Sequence, residues 1–292
     1  MNSFTIKDLE NLSGIKAHTI RIWEQRHGFL KPNRTDTNIR FYSGEELRML
    51  LNVSLLNKNG FKISKISKMN LQEMENAIKN LDVHHVKQTF LINNLIQHMV
   101  EMEVEAFEQL LDGDIEENGI ESTILNIIFP FLKKLGMLWL SRHINPAHEH
   151  LAANVIRQKI IHGIESMEPI DNGNQTAMLF LPENEHHELG LLYIYFLLKK
   201  KGKKVLYLGT NIPLKDAKFA VQCKNPSHIF THLTTLLNDT AVEKYLIQAA
   251  DSFGQVPMLV SGATIKDFDK KIPETILIKK SLKEVTDFIE AL

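Results

Sequence analysis

The sequence predicts an α plus α/β multidomain protein: a winged helix-turn-helix, a four-helix bundle, and a flavodoxin-like (Rossmann-like) sheet of five parallel strands. Three observations predict it. Residues 1–78 are short helical stretches punctuated by glycines and interrupted by one polar, proline-bearing segment. Residues 82–170 carry apolar residues at spacings of three and four, the period of amphipathic helices. Residues 174–292 alternate short apolar runs with helical stretches, the pattern of a parallel sheet covered on both faces. A chain of 292 residues exceeds one typical domain, and those three segments set the boundaries.

The elements follow in order. "TIKDLENLSG" is a helix closed by Gly14, and "KAHTIRIWEQRHG" is a second closed by Gly28, each glycine suited to the left-handed position after a helix. A connection as short as "SGIK" makes the pair a helix-turn-helix. "FLKPNRTDTNIRFYS" has a proline and little helical period, so it reads as a two-stranded wing. Ser43 and Glu46 form a capping box for "ELRMLLNVSLLNKNG", and Asn70 caps "LQEMENAIKNL". In the bundle, Pro130 is expected to kink "GIESTILNIIFPFLKKLGMLWL". Asn145 and Pro146 open "NPAHEHLAANVIRQKIIHGIESM" as N-cap and first helical residue. The five strands are "TAMLFLP", "KKVLYLG", "PSHIFTHL", "VPMLVSGA" and "ETILIKK".

Composition narrows the function. Residues 1–69 carry 12 Lys+Arg against 6 Asp+Glu, while the remainder carries 22 against 29. A basic N-terminal module on an acidic body fits contact with a polyanion through that module alone. The single cysteine, Cys223, excludes an internal disulfide and a multi-thiolate metal site. No apolar run has the roughly 18 residues of a membrane span, and the N-terminus lacks the basic-then-apolar pattern of a signal peptide. The expectation is a cytoplasmic protein with no membrane partner.

Two residue sets carry chemistry. On the second helix, His18, Thr19, Arg21 and Arg26 offer groups suited to base edges and phosphates. The wing adds Arg34, Thr35, Arg40 and Tyr42, all suited to phosphate contact. The other set is "ENEHHELG", residues 183–190, which follows the first strand. In open parallel sheets ligands bind beyond the C-terminal strand ends, so the cluster lies where a ligand would. Its residues alone leave open a solvated polar loop or a metal ligand.

The first set resembles the MerR-family DNA-binding domain over residues 1–75. The family pattern is a helix-turn-helix with R-x-W/Y-E, then P-x-R and an R-x-Y wing; here these are Arg21, Trp23 and Glu24, then Pro32 and Arg34, then Arg40 and Tyr42. The resemblance implies binding to double-stranded operator DNA as a homo-oligomer, dimer or tetramer. The metal-sensing branch of the family uses cysteines absent here.

The second set resembles the D-x-H-x-x-G motif of cobalamin-binding domains, as Glu185, His187 and Gly190. Forty residues separate Gly190 from Thr231 and Leu233, which match the family's S-x-L, and 28 more separate Leu233 from Gly262 and Ala263, at the family's Gly-Gly. The resemblance implies His187 as lower axial ligand of cobalt, with the nucleotide tail entering at these strand ends. A neutral imidazole suits cobalt, a carboxylate on its other nitrogen fixes the tautomer, and glycine allows close backbone approach. The helical segment resembles the cap of CarH/LitR-type photoregulators through W-x9-E-H, here Trp139, Glu149 and His150. That implies adenosylcobalamin, with Trp139 over the upper face and Glu149 toward the adenosyl hydroxyls.

Four positions depart from the pattern: Glu185 for Asp, Thr231 for Ser, Ala263 for the second Gly, and Leu140 where light-responsive members often have a histidine that can cap cobalt after photolysis. His143 is the nearest substitute. The reading is a non-enzymatic transcription regulator, a repressor sensing adenosylcobalamin and light. Two alternatives stay open: a MerR-type repressor whose degenerate pocket is controlled without cobalamin, and a corrinoid methyl-carrier protein, which the helix-turn-helix argues against.

Overall fold

The computed structural model describes residues 4–81, 83–140, 144–168, 175–235 and 239–292. The chain divides into two compact units, Met1–Ile156 and Arg157–Leu292.

The first unit opens with α1 (Ile6–Ser13) and α2 (Ala17–His27). Thr5 and Asp8 satisfy each other's backbone N–H groups in a reciprocal capping box at the start of α1. Gly14 and Gly28 end the two helices with φ of 72° and 65°, a region where a Cβ is costly. The wing is an antiparallel pair, β1 (Asn33–Arg34) and β2 (Arg40–Phe41), with Asn33 opposite Phe41. Phe4 bridges to Tyr42, so the start of the chain is zipped onto the wing. Ser43 with Glu46, and Asn70 with Glu73, cap α3 (Gly44–Lys58) and α5 (Leu71–Lys79); the one-turn α4 (Ile63–Ile66) lies between.

The bundle helices are α6 (His84–Glu101), α7 (Val104–Asn118), a composite rod and α10 (Pro146–Glu165). The rod runs through α8 (Ile120–Thr123), a π-helical turn at Ile124–Ile128 and α9 (Phe129–Leu140). The expected proline kink is therefore absorbed as a π turn just ahead of Pro130: with no N–H at that residue the ladder must skip a bond, and the wider turn skips it without ending the helix. Helix α3 packs on α6 and α1 on α9, which joins the DNA-binding segment and three of the bundle helices in one unit. Among the described residues no helix is long and apolar enough to cross a membrane.

The second unit is a five-stranded parallel sheet, β3 (Thr176–Pro182), β4 (Lys204–Ile212), β5 (His228–His232), β6 (Met258–Ser261) and β7 (Ile276–Ile278), in the order β4-β3-β5-β6-β7. The helices are α11 (Leu189–Lys200), α12 (Leu214–Lys224), α13 (Asp239–Phe253) and α14 (Leu282–Glu290). One sheet face packs Met178, Phe180, Ile229, Leu233, Met258 and Val260 against Ala217 and Val221 of α12 and Val242 and Leu246 of α13. Alternation sends His228, Phe230 and His232 to the other face, where Phe288 of α14 meets His228 and Phe230 edge-on. Strand order reverses between β3 and β5. That switch point opens a crevice at the C-terminal strand ends.

Candidate functional site

The loop after β3 delivers "ENEHHELG" to that crevice. Glu185 is 1% exposed, and its two carboxylate oxygens accept six hydrogen bonds. Oε1 takes the His186 and His187 N–H groups (3.0 Å each), His187 Nδ1 (2.8 Å) and the Thr235 hydroxyl (2.7 Å). Oε2 takes the Thr234 and Thr235 N–H groups, both at 2.7 Å. Burial opposes the charge, but donation from the His187 ring and backbone, Thr234 and Thr235 outweighs it and holds the carboxyl well below the usual carboxylate range. Six donors around one ionised group tie the end of β3 to the loop after β5.

This lock fixes His187. A carboxylate can only accept, so the Nδ1 facing it carries the proton, and Nε2 is the atom that offers a lone pair when the ring is neutral. Thr235 Oγ1, 2.9 Å from Nδ1, donates to Glu185 Oε1 and accepts from the imidazole. The ring is half-exposed. An imidazole oriented by a carboxylate and a hydroxyl on one nitrogen presents the other to a transition metal. The Glu-for-Asp departure costs no contact, because the longer side chain folds back to span both loops. Thr235 is a partner that sequence reading missed; its place just past β5, beside the switch point, is the signal that marks it.

The other strand-end residues divide. Gly262 has φ of 115°, and a Cβ there would lie 2.2 Å from the Leu233 carbonyl oxygen, so the ends of β5 and β6 meet in a backbone contact that needs glycine. Thr231 is fully buried, and its hydroxyl has no hydrogen-bond partner among the described residues. Ala263, at the second Gly position, is exposed and opens a short 3₁₀ turn. Gly190 is occupied differently from expectation: the ring against it belongs to His232, whose Nδ1 bonds Ser261 Oγ at 3.0 Å. Burial pulls His232 down to about 4 despite the nearby Glu185 charge. One residue beyond His187, Glu188 accepts from Arg157 Nε (2.5 Å) and the Tyr207 hydroxyl (2.6 Å).

In the first unit, Trp139 ends α9 with 44% of its surface exposed, unusual for a tryptophan without a partner surface. Glu149 and His150 lie in the first turn of α10, the former half-buried and the latter exposed. Asn145 accepts from the Ala147 N–H as the predicted N-cap, and buried His148 reaches back to the Asn145 N–H. His143 lies outside the described residues.

On the DNA-binding segment, His18, Arg21 and Arg26 are exposed along α2, with Thr19 half-buried; Ile20 and Trp23 turn inward. Arg34 is exposed in the wing and donates to Asn38 Oδ1 at 2.6 Å. Two residues of the expected phosphate set are turned toward the wing. Tyr42 is fully buried, and its hydroxyl donates to Glu24 Oε2 (3.2 Å), so it braces the wing. Burial, then the Glu24 charge, push its phenol above the usual range. Arg40 donates to Glu24 Oε1 (3.2 Å) and is held in the same brace. Glu24 is thus the residue that joins the recognition helix to the wing.

Two family models match the chain, one over the N-terminal segment and one over the helical bundle. Residues 4–73 match the model of the MerR HTH family regulatory protein, and residues 91–162 match a B12 binding domain. The chain is homologous to two HTH-type transcriptional repressors of Myxococcus xanthus. It is 25% identical to CarA over 91% of this chain and 89% of that protein, and 25% identical to CarH over 90% of each. The solved monomethylamine corrinoid protein of Methanosarcina barkeri shares the fold at a TM-score of 0.54 and 13% identity, over 69% of this chain and 98% of that one.

Proposed function

We propose that this chain is a DNA-binding transcriptional repressor whose ligand is a cobalamin, which His187 would hold through Nε2. The observation that carries the reading is the six-bond lock on Glu185, which presents one oriented imidazole at the switch point of a parallel sheet. The donor set fits the group: a half-exposed imidazole whose Nδ1 is tied to a carboxylate and a hydroxyl, leaving Nε2 as the ligand atom. Bound cobalamin supplies a cobalt–carbon bond that light can break; the protein's own part is to hold and orient the corrinoid. The adenosyl form is assigned through Trp139, Glu149 and His150, an exposed aromatic, a carboxylate and an imidazole near the ends of α9 and α10.

His18, Arg21, Arg26 and Arg34, with Thr19, meet double-stranded operator DNA, and the protein acts as a dimer or tetramer. The cofactor regulates by mass action: it favours the DNA-competent assembly in proportion to its differential affinity for that state. No substrate is turned over.

The test is gel filtration of the full chain with adenosylcobalamin, in the dark and after illumination, beside His187→Ala. A cobalamin-coloured species in the dark, lost in His187→Ala, supports the reading; collapse in light makes light the signal. A competing reading, a repressor controlled without cobalamin, draws on the His232 ring that fills the place beside Gly190. Absence of co-eluting colour from wild type decides for it.

A further inference from the structure

The space beside Gly190 is where the resemblance puts the close approach of the cofactor. A Cβ on Gly190 would sit 2.5 Å from Nε2, 2.6 Å from Cδ2 and 2.8 Å from Cε1 of His232. Three ring atoms inside 3 Å of that point mean that the imidazole lies flat against the glycine, and that glycine is required there by a side chain of this protein. The ring is held from its far side by Ser261 Oγ on the next strand, 3.0 Å from Nδ1. It therefore closes the gap between the first turn of α11 and the ends of β5 and β6, one helical turn from His187. Beneath it the same sheet face is filled. Phe230 and His228 follow at alternate positions of β5, with Phe288 of α14 packed edge-on against both, at centroid distances of 6.3 and 5.7 Å. A planar heteroaromatic group cannot enter between α11 and the sheet without displacing His232 first.

We infer that His232 is a specificity-determining residue: it occupies the slot into which a lower nucleotide would insert, so that this domain takes corrinoids by their cobalt and ring and leaves the nucleotide outside the sheet. The inference rests on the cobalamin reading above and deepens it. The ligand class is then wider than cobalamin and includes incomplete corrinoids that lack the nucleotide. Such indifference follows from the physics of the slot. A cofactor with a tail gains nothing from a cavity already filled at van der Waals contact, and it would lose the Ser261 bond and the packing on Gly190 if it forced entry.

The experiment measures dissociation constants of adenosylcobalamin and adenosylcobinamide, the same corrinoid without its nucleotide, for the full chain in the dark. Wild type is expected to bind the two within about threefold of each other. His232→Ala, which empties the slot, is expected to favour adenosylcobalamin by tenfold or more. His232→Gln fills similar space and can still bond Ser261, so it keeps the wild-type pattern and controls for folding, which circular dichroism checks in all three. A wild-type preference of tenfold or more for adenosylcobalamin overturns the inference, as does a His232→Ala protein that folds and gains no preference. If wild type binds neither corrinoid while still retarding DNA from upstream of its own gene, the cobalamin reading itself fails and takes the inference with it. That result is distinct from the other two, in which corrinoid is bound.

Discussion

Replacing Glu185 by Gln tests whether this carboxylate organises the site. The change keeps size and shape but removes the charge and one acceptor oxygen. With the amide oxygen in the Oε1 place, the four donors there keep a weaker, uncharged partner. The amide NH₂ then faces the Thr234 and Thr235 N–H groups at the Oε2 place, donor against donor. Two backbone donors lose their acceptor, at roughly 1–3 kcal/mol each, so the loss is about 2–6 kcal/mol. For a domain of this size that lowers Tm by roughly 10 °C. Flipping the amide does not help, because the NH₂ then faces four donors. Amide hydrogen exchange at Thr234 and Thr235 reports the local part, and adenosylcobalamin titration reports the site. We expect faster exchange at both threonines and at least a tenfold loss of affinity. A Glu185→Gln protein with wild-type Tm and unchanged exchange at both positions would refute the idea that the carboxylate pins the two loops.

Four further outcomes are expected. His232, held at about 4 against about 6.5 in an unfolded chain, binds fewer protons folded than unfolded. Its contribution is fully present above pH 6.5 and is lost as pH falls toward 4, by roughly 3 kcal/mol in total; urea midpoints measured from pH 7 to pH 4 should show that slope in wild type and a shallower one in His232→Gln. Gly262→Ala puts a Cβ 2.2 Å from the Leu233 carbonyl oxygen at φ 115°, so it should cost about 3 kcal/mol or more, and unchanged thermal unfolding would contradict the close backbone approach. Arg21→Ala, at an exposed position on α2, should reduce the salt dependence of DNA binding by about one ion with stability unchanged. Arg40→Ala should instead lower Tm by a few degrees through the lost Glu24 pair, and a pure affinity effect there would put Arg40 back on the DNA.

Local chemistry made most of the fold legible. Thr5, Ser43, Asn70 and Asn145 each bond a nearby N–H, and Gly14 and Gly28 each take a left-handed turn, because these effects need only a few neighbouring residues. "TAMLFLP" is β3 from end to end, since a central strand of a covered sheet is apolar on both faces. Side-chain direction was less legible. Arg40 and Tyr42 have the right types for phosphate, but whether a wing residue faces outward depends on Glu24, sixteen and eighteen positions upstream. The π turn before Pro130 was likewise hidden, because a proline tells where a bond is missing and not how the backbone accommodates it. Thr235 and His232 act across 48 and 42 residues of sequence, on His187 and Gly190, and only the strand order brings them there.

The two carboxylates that flank His187 divide the work of presenting it. Glu185 turns inward and is spent on the loop after β5, fixing the tautomer of the imidazole and the position of its backbone. Glu188, one residue past His187, gives its side chain to Arg157 and Tyr207 and makes no cap to its own helix, although it is the N-cap residue of α11. That choice forgoes roughly 1 kcal/mol of capping. In exchange the start of α11 is tied to β4 through Tyr207 and to α10 through Arg157, while Tyr207 is itself stacked on Tyr195 of α11 at 5.5 Å. His187 is thereby held between anchors on β4, on the loop after β5 and on α10. A ligand imidazole fixed in this way has little rotational freedom left to lose when it takes up a metal. The residues that hold it, and not the histidine alone, set how tightly it binds.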